Sequence, residues 1–325
     1  RRTRLLSLSW AIILLSTIST NAQNKIIDQI NSYGNFDRWC VREIEESGII
    51  GGHTRYLYEF FGEPTDTLRT GKQPFTAPEG YVWRTNNVLA VVAGVVKTNN
   101  TVYPEKRGEG YCARIETHIE EVKALGIVNM DVTCQGVMLV GVLHEPIRDT
   151  NSPMSKVDYG LRFTEKPKAV KLDYKADVGH EVIKGTGFCK LQPQGYKDHA
   201  EVTFMLQKIW EEEDGSIHAL RVATGIERIT ESTAEWKNGY RINLHYGDIT
   251  KEPFYEEYMG LKTNPETAYR AKNSKGKIVI IQEDGWAPVG TQPTHMMIHA
   301  ISSCGKAFYG GVGNTLWLDN VEVVM

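Results

Sequence analysis

A two-residue hydrophobic period runs through most of this chain and restricts it to sheet. Val170, Leu172 and Tyr174 fall on one side of a run whose other side is Lys171, Asp173 and Lys175. Arg241, Asn243 and His245 alternate in the same way with Ile242, Leu244 and Tyr246. Val202, Phe204, Leu206 and Trp210 alternate with Thr203, Met205 and Gln207. Successive side chains of a strand point to opposite faces, so each run predicts a strand with one buried and one wet face. Runs 88–96, 137–143 and 277–282 are almost wholly apolar and β-branched, which predicts central strands covered on both sides. Turn residues separate the runs at 99–100, 106–110, 213–215, 237–239 and 274–276. Helical periodicity is confined to 24–30 and 252–259. The expected fold is an all-β jelly-roll sandwich, like that of carbohydrate-binding modules, with a few short helices.

Charge and cysteine usage narrow the function classes. The 325 residues carry 37 Lys and Arg against 40 Asp and Glu, which lacks the basic excess of a nucleic-acid binder. Arg1, Arg2 and Arg4 precede an apolar stretch from Leu5 to Ile18, and Ala22 and Gln23 offer a cleavage site. Residues 1–23 therefore read as a secretory signal peptide and 24–325 as one domain. The expectation is a secreted, periplasmic or cell-surface protein with no membrane span and no lipid-anchoring Cys at the cleavage site. Cys40, Cys112, Cys134, Cys189 and Cys304 contain no C-x-x-C pair. They read mainly as buried free thiols, with Cys112 and Cys134 as the one pair that neighbouring strands would bridge.

The C-terminal run has a Ser302-Ser303 strand end, Gly305-x-x-Phe308-x-Gly310-x-x-Gly313, and then Leu316-x-Leu318-Asp319-x-Val321. Upstream, in order, come Phe36-Asp37-Arg38-Trp39, the Trp83–Asn87 and Ala113–Thr117 segments, the Pro-flanked strand 168–174, and 236–246. This set resembles the PCMD-type carbohydrate-metabolism domain family of secreted Bacteroidetes proteins. The resemblance implies a jelly roll and a glycan-linked function, with an oligo- or polysaccharide as partner. It does not by itself imply catalysis.

Within the C-terminal run, Leu316 and Leu318 share a phase that Val321 and Val323 do not. That offset predicts a bulge at Asp319-Asn320. Jelly-roll modules commonly hold a structural Ca²⁺ where first and last strands meet, here Asp37 and Asp319, an all-oxygen pair suited to a hard cation. Sugar binding needs flat aromatic platforms beside planar polar groups. Tyr81, Trp83 and Arg84 form one such group, Trp236, Tyr240 and Arg241 a second, and Trp286, expected on a loop, a third. Trp39 and Trp317 are assigned to the core. Hydrolysis needs two carboxylates flanking the scissile bond. Arg114, Glu116, His118 and Glu120 share a polar face, which makes Glu116 the acid/base candidate with Asp158 or Asp173 as distant partner. The leading expectation is non-catalytic glycan binding, with a glycoside hydrolase or an adhesion subunit as rivals.

Overall fold

The computed structural model describes residues 25–59, 68–75, 80–92, 94–124, 128–148, 153–187 and 189–325. The expected signal peptide lies outside the described residues, as does half of the stretch 63–80, whose three Pro suggest a loop. The chain forms an all-β sandwich with little helix. A helix at 25–33 and three 3-10 turns are the described helical segments.

Two large sheets face each other. The nine-stranded sheet runs in the order Arg270–Lys272, Ile278–Trp286, Ile217–Ile229, Ala200–Glu211, His295–Ile301, Val137–Val140 and Trp83–Thr85. Two short strands, Leu161–Arg162 and His245–Tyr246, attach to it. The five-stranded sheet runs Lys237–Asn243, Ala169–Asp177, Thr315–Val324, Gly110–Glu116 and Val102–Arg107, antiparallel throughout. The inner faces meet in one core: Val202, Phe204 and Leu206 from the first sheet pack with Val170, Leu172 and Leu316 from the second.

The period-two reading holds for the five-stranded sheet, where Val170, Leu172 and Tyr174 are buried and Lys171 and Lys175 are not; Asp173, expected on the wet face, is buried and paired with Arg107. It fails on the strand Ala200–Glu211, whose expected wet face is also buried, with Thr203 and Met205 at 0% exposure. Chain from around Tyr159 and Tyr269 covers that second face and forms another apolar layer with Met205, Ile226 and Met297.

The 88–96 run is a two-stranded hairpin, Val88–Val92 with Val95–Asn99, and not one central strand. Gly94, at φ 79°, supplies the left-handed turn. Within 137–143 only Val137–Val140 is a fully covered central strand, and Val142–Leu143 pairs elsewhere. The 277–282 run lies in Ile278–Trp286, paired on both sides, although Ile278, Val279 and Ile280 are only half-buried.

The bulge at the C-terminus is present. Lys171 pairs with Glu322 and Asp173 with Asp319, so the last strand carries one extra residue there, and Asn320 sits at φ 50°. The extra residue returns Val321 and Val323 to the core beside Leu316 and Leu318. All five cysteines are free. Cys112 lies in the five-stranded sheet, whereas Cys134 belongs to Val128–Cys134, which pairs with His118–Ala124, so the two are not cross-strand neighbours.

Candidate functional site

A cavity of about 310 Å³ opens where the chain changes sheets. Lys237–Asn243 pairs with Ala169–Asp177 in one sheet, and His245–Tyr246 pairs with Ala223 and Thr224 in the other. Strands that switch sheets make the corners of a sandwich and leave a seam beside them. Leu244 anchors the crossing, buried and donating its N–H to the Lys168 carbonyl. Gly225 permits the close approach, because a Cβ there would lie 2.8 Å from the Asn243 carbonyl oxygen.

Glu227, Arg241, Asn243, His245 and Phe254 line this cavity, with Ile226, Ile242 and Met259 among its apolar walls. The His245 and Phe254 rings lie 4.1 Å apart at 34°, and Phe254 is 39% exposed, so an apolar plate faces solvent. Arg241 donates from Nε to Asn243 Oδ1 at 2.8 Å, which fixes a planar guanidinium beside a planar amide. Tyr240 donates its hydroxyl to Glu227 Oε1 at 2.7 Å. Burial and that carboxylate push the Tyr240 phenol up, so it stays a donor.

The second predicted group is thus partly assembled here. Arg241 lines the cavity and Tyr240 orients one of its walls. Trp236 is elsewhere, its ring under the Arg107 guanidinium at 3.8 Å. Asn243 and His245 were legible as the wet face of their strand. Glu227 and Phe254 were missed, and only the Glu252-Pro253-Phe254-Tyr255 stretch, an aromatic pair beside a turn-forming Pro, signalled the latter.

The first group is no platform. Trp83 is 3% exposed, donates its indole N–H to the Ile30 carbonyl at 3.1 Å, and meets Phe36 edge-on. Arg84 is buried against the Trp83 carbonyl, and burial brings its pKa down to about 10. Tyr81 is half-buried near Tyr33. Trp286 ends the strand Ile278–Trp286 and so is not on a loop; the Arg221 guanidinium lies 5.5 Å from its ring. Trp39 packs against the core, as expected, but Trp317 is half-buried on the outer face of the five-stranded sheet.

The carboxylate candidates are not brought together. Glu116 points outward from the five-stranded sheet. Asp158 precedes Tyr159 of the apolar layer on the far side of the other sheet, and its Oδ1 accepts the Gly160 N–H. Glu116 lies 3.4 Å from both Arg114 Nε and His118 Nδ1. Burial raises its pKa, but His118 and Arg114 outweigh that and hold it below the usual range, which suits an ion pair and not a general acid.

Asp173 and Asp319 are both bound to Arg107, which occupies the place expected for a cation beside Asp319. Asp37 caps a turn, accepting the Tyr111 N–H at 2.8 Å and the Asn35 amide at 2.9 Å. Among the described residues no group of three or more His, Cys, Asp or Glu is placed to hold a metal ion.

Three histidines set a pH window for folding. Despite burial, contacts with Glu116 and Glu120 lift His118 to about 9. Its contribution is complete below its unfolded value near 6.5 and is lost as pH rises toward 9. Burial lowers His295 and His299 to about 4, so the unfolded chain binds the extra protons first, and stability is lost as pH falls from 6.5 toward 4. Stability should therefore peak near pH 6.5; at ~1.4 kcal/mol per unit each histidine contributes roughly 3 kcal/mol at most, so the acid arm, with two of them, is the larger. Urea midpoints across this range check it; His118→Gln should flatten the alkaline arm alone, and an unchanged alkaline arm would count against the assignment.

Compared with known proteins, the chain matches no family model and no curated protein. Among solved structures it is similar to a "putative glycoside hydrolase" from Bacteroides thetaiotaomicron, at 17% identity over 88% of this chain and 70% of that one, with a TM-score of 0.44.

Proposed function

We propose that the protein binds carbohydrate in the seam cavity and does not cleave it. The observation that carries this reading is the pairing, in one cavity, of an exposed aromatic plate with planar polar groups. His245 and Phe254 supply the plate, and Arg241, Asn243 and Glu227 supply the polar edge. Pyranose rings have an apolar CH face and hydroxyls in adjacent pairs, and such a site meets both. Glu227 is the one Asp or Glu among the described lining residues, so a flanking acid and base have no counterpart there. The resemblance of the C-terminal run to secreted glycan-handling proteins supports the same class of ligand and an extracytoplasmic location. No described helix is long and apolar enough to cross a membrane.

The test is affinity electrophoresis on soluble polysaccharides together with a reducing-end assay. Phe254→Ala should weaken retention roughly tenfold, the equivalent of ~1.4 kcal/mol for a lost aromatic contact. Arg241→Ala should weaken it similarly, with melting temperatures unchanged in both. New reducing ends from the wild-type protein would replace binding by hydrolysis as the function.

A further inference from the structure

Outside the seam cavity, the wet face of the five-stranded sheet carries an ordered arrangement that packing alone does not require. Register places Lys175 opposite Trp317, Trp317 opposite Arg114, and Arg114 opposite Tyr103, one straight row across four adjacent strands. Leu316 and Leu318, the neighbours of Trp317, face inward and are fully buried, so the indole is directed away from the core. Its N–H is satisfied by Glu105 Oε1 at 3.0 Å, which fixes the ring plane. Arg114 is flanked by Glu105 at 3.5 Å and Glu116 at 3.4 Å; its guanidinium lies over the Tyr103 ring at 4.8 Å and Lys175 Nζ lies 5.6 Å from the Trp317 ring, so a sugar would use the faces that these cations leave open.

The row does not stop at the sheet edge. The Tyr58 ring lies 5.9 Å from that of Tyr103, and Tyr58 belongs to the adjoining strand Thr54–Glu59. Tyr56 shares the face of Tyr58, two residues away, and is 48% exposed, while Leu57 between them is fully buried. Trp317, Tyr103, Tyr58 and Tyr56 thus form a track bordered by carboxylates and guanidinium groups.

We propose that this track is a second carbohydrate site, one that takes an extended polymer of β-linked pyranose units. It rests on the reading that the protein binds glycan but not on the seam cavity being the place. Trp317 and Tyr103 are two strands apart, about 10 Å by the strand spacing, comparable to the disaccharide repeat of an extended pyranose chain. Two sugars along, the chain presents to Tyr103 the same face that it presents to Trp317, Arg114 with Glu105 and Glu116 meets the hydroxyls of the sugar between, and Tyr58, 5.9 Å beyond Tyr103, meets the next unit. A chain end needs one platform, whereas a track of this length gains only from a polymer, because each further ring adds an intramolecular contact.

Retention on mixed-linkage β-glucan, xyloglucan and galactomannan is compared with binding of the matching hexasaccharides, for wild type, Trp317→Ala, Tyr56→Ala and Phe254→Ala. Tyr56 is exposed enough that its replacement leaves the fold intact, which keeps the test valid if Trp317→Ala is unstable. Tyr56→Ala and Trp317→Ala are expected to weaken polymer retention at least about tenfold, with hexasaccharide binding changed much less. Unchanged polymer retention in Tyr56→Ala and in any folded Trp317→Ala, alongside a loss in Phe254→Ala, would overturn the track and leave the cavity standing. Loss in the track variants with none in Phe254→Ala would support the track and remove the cavity. Absence of any wild-type retention would overturn both.

Discussion

Replacing Arg42 with Met should lower the free energy of unfolding by about 3–5 kcal/mol, the range for removing one partner of a buried ion pair. Arg42 is fully buried, bonded to Glu59 at 2.7 Å and to both oxygens of Glu145 at 2.9 Å. Its loss leaves two carboxylates buried, with Arg84 as the remaining cation in the same small cavity. The damage spreads, because Glu145 also accepts the N–H groups of Phe75 and Leu89. The network thereby ties the strand Cys40–Glu45 to the 88–99 hairpin. Burial already holds Glu59 above the usual carboxylate range, although Arg42 opposes this. Without Arg42 that pKa rises further, so the variant binds its proton more readily when folded. The deficit should then be smaller at pH 5 than at pH 7 in urea titrations. Adding Glu59→Gln and Glu145→Gln to Arg42→Met should restore only part of the loss, since no carboxylate is then stranded but the buried Arg84 loses Glu59 as its counter-charge. A loss below about 1 kcal/mol would mean that water reaches the cluster and solvates it.

Legibility in the amino-acid sequence divides along the line between local and returning chain. The inward and outward faces of 168–175 and 241–246 were readable because alternation is a property of neighbouring residues. The bulge at Asp319-Asn320 was readable for the same reason, as a phase slip within one strand. The second buried face of Ala200–Glu211 was not, since it depends on segments around Tyr159 and Tyr269 folding back over Thr203 and Met205. The seam cavity follows the same rule. Arg241, Asn243 and His245 declare themselves as one wet face, but Glu227 reaches them from a strand of the other sheet and Phe254 from the following loop. Composition near a turn was a poor guide to aromatic exposure. Trp83 lies beside turn residues yet is buried, and Trp317, in a run rich in Leu and Val, faces out. Which of two strand faces meets the core depends on register with the opposite sheet, and no local pattern records it.

Trp83→Ala accordingly should act on stability and leave sugar binding alone. The indole fills the space between Phe36 and the helix at 25–33, to which it is also bonded through the Ile30 carbonyl. Truncation removes most of a buried aromatic surface and leaves a void that the two sheets cannot close without moving their strands. Such substitutions cost about 3–5 kcal/mol, a large share of the ~5–15 kcal/mol that holds a typical domain folded. An unpaired Ile30 carbonyl adds to the cost where water cannot reach it. Glycan retention of the folded fraction at low temperature should match wild type, because the seam cavity is lined by residues of other strands. Trp83→Phe should recover roughly half of the stability, since the ring contact with Phe36 is kept and the bond to Ile30 is not. The result that sinks this assignment is weakened retention with an unchanged melting temperature, which would put Trp83 at the sugar and not in the core.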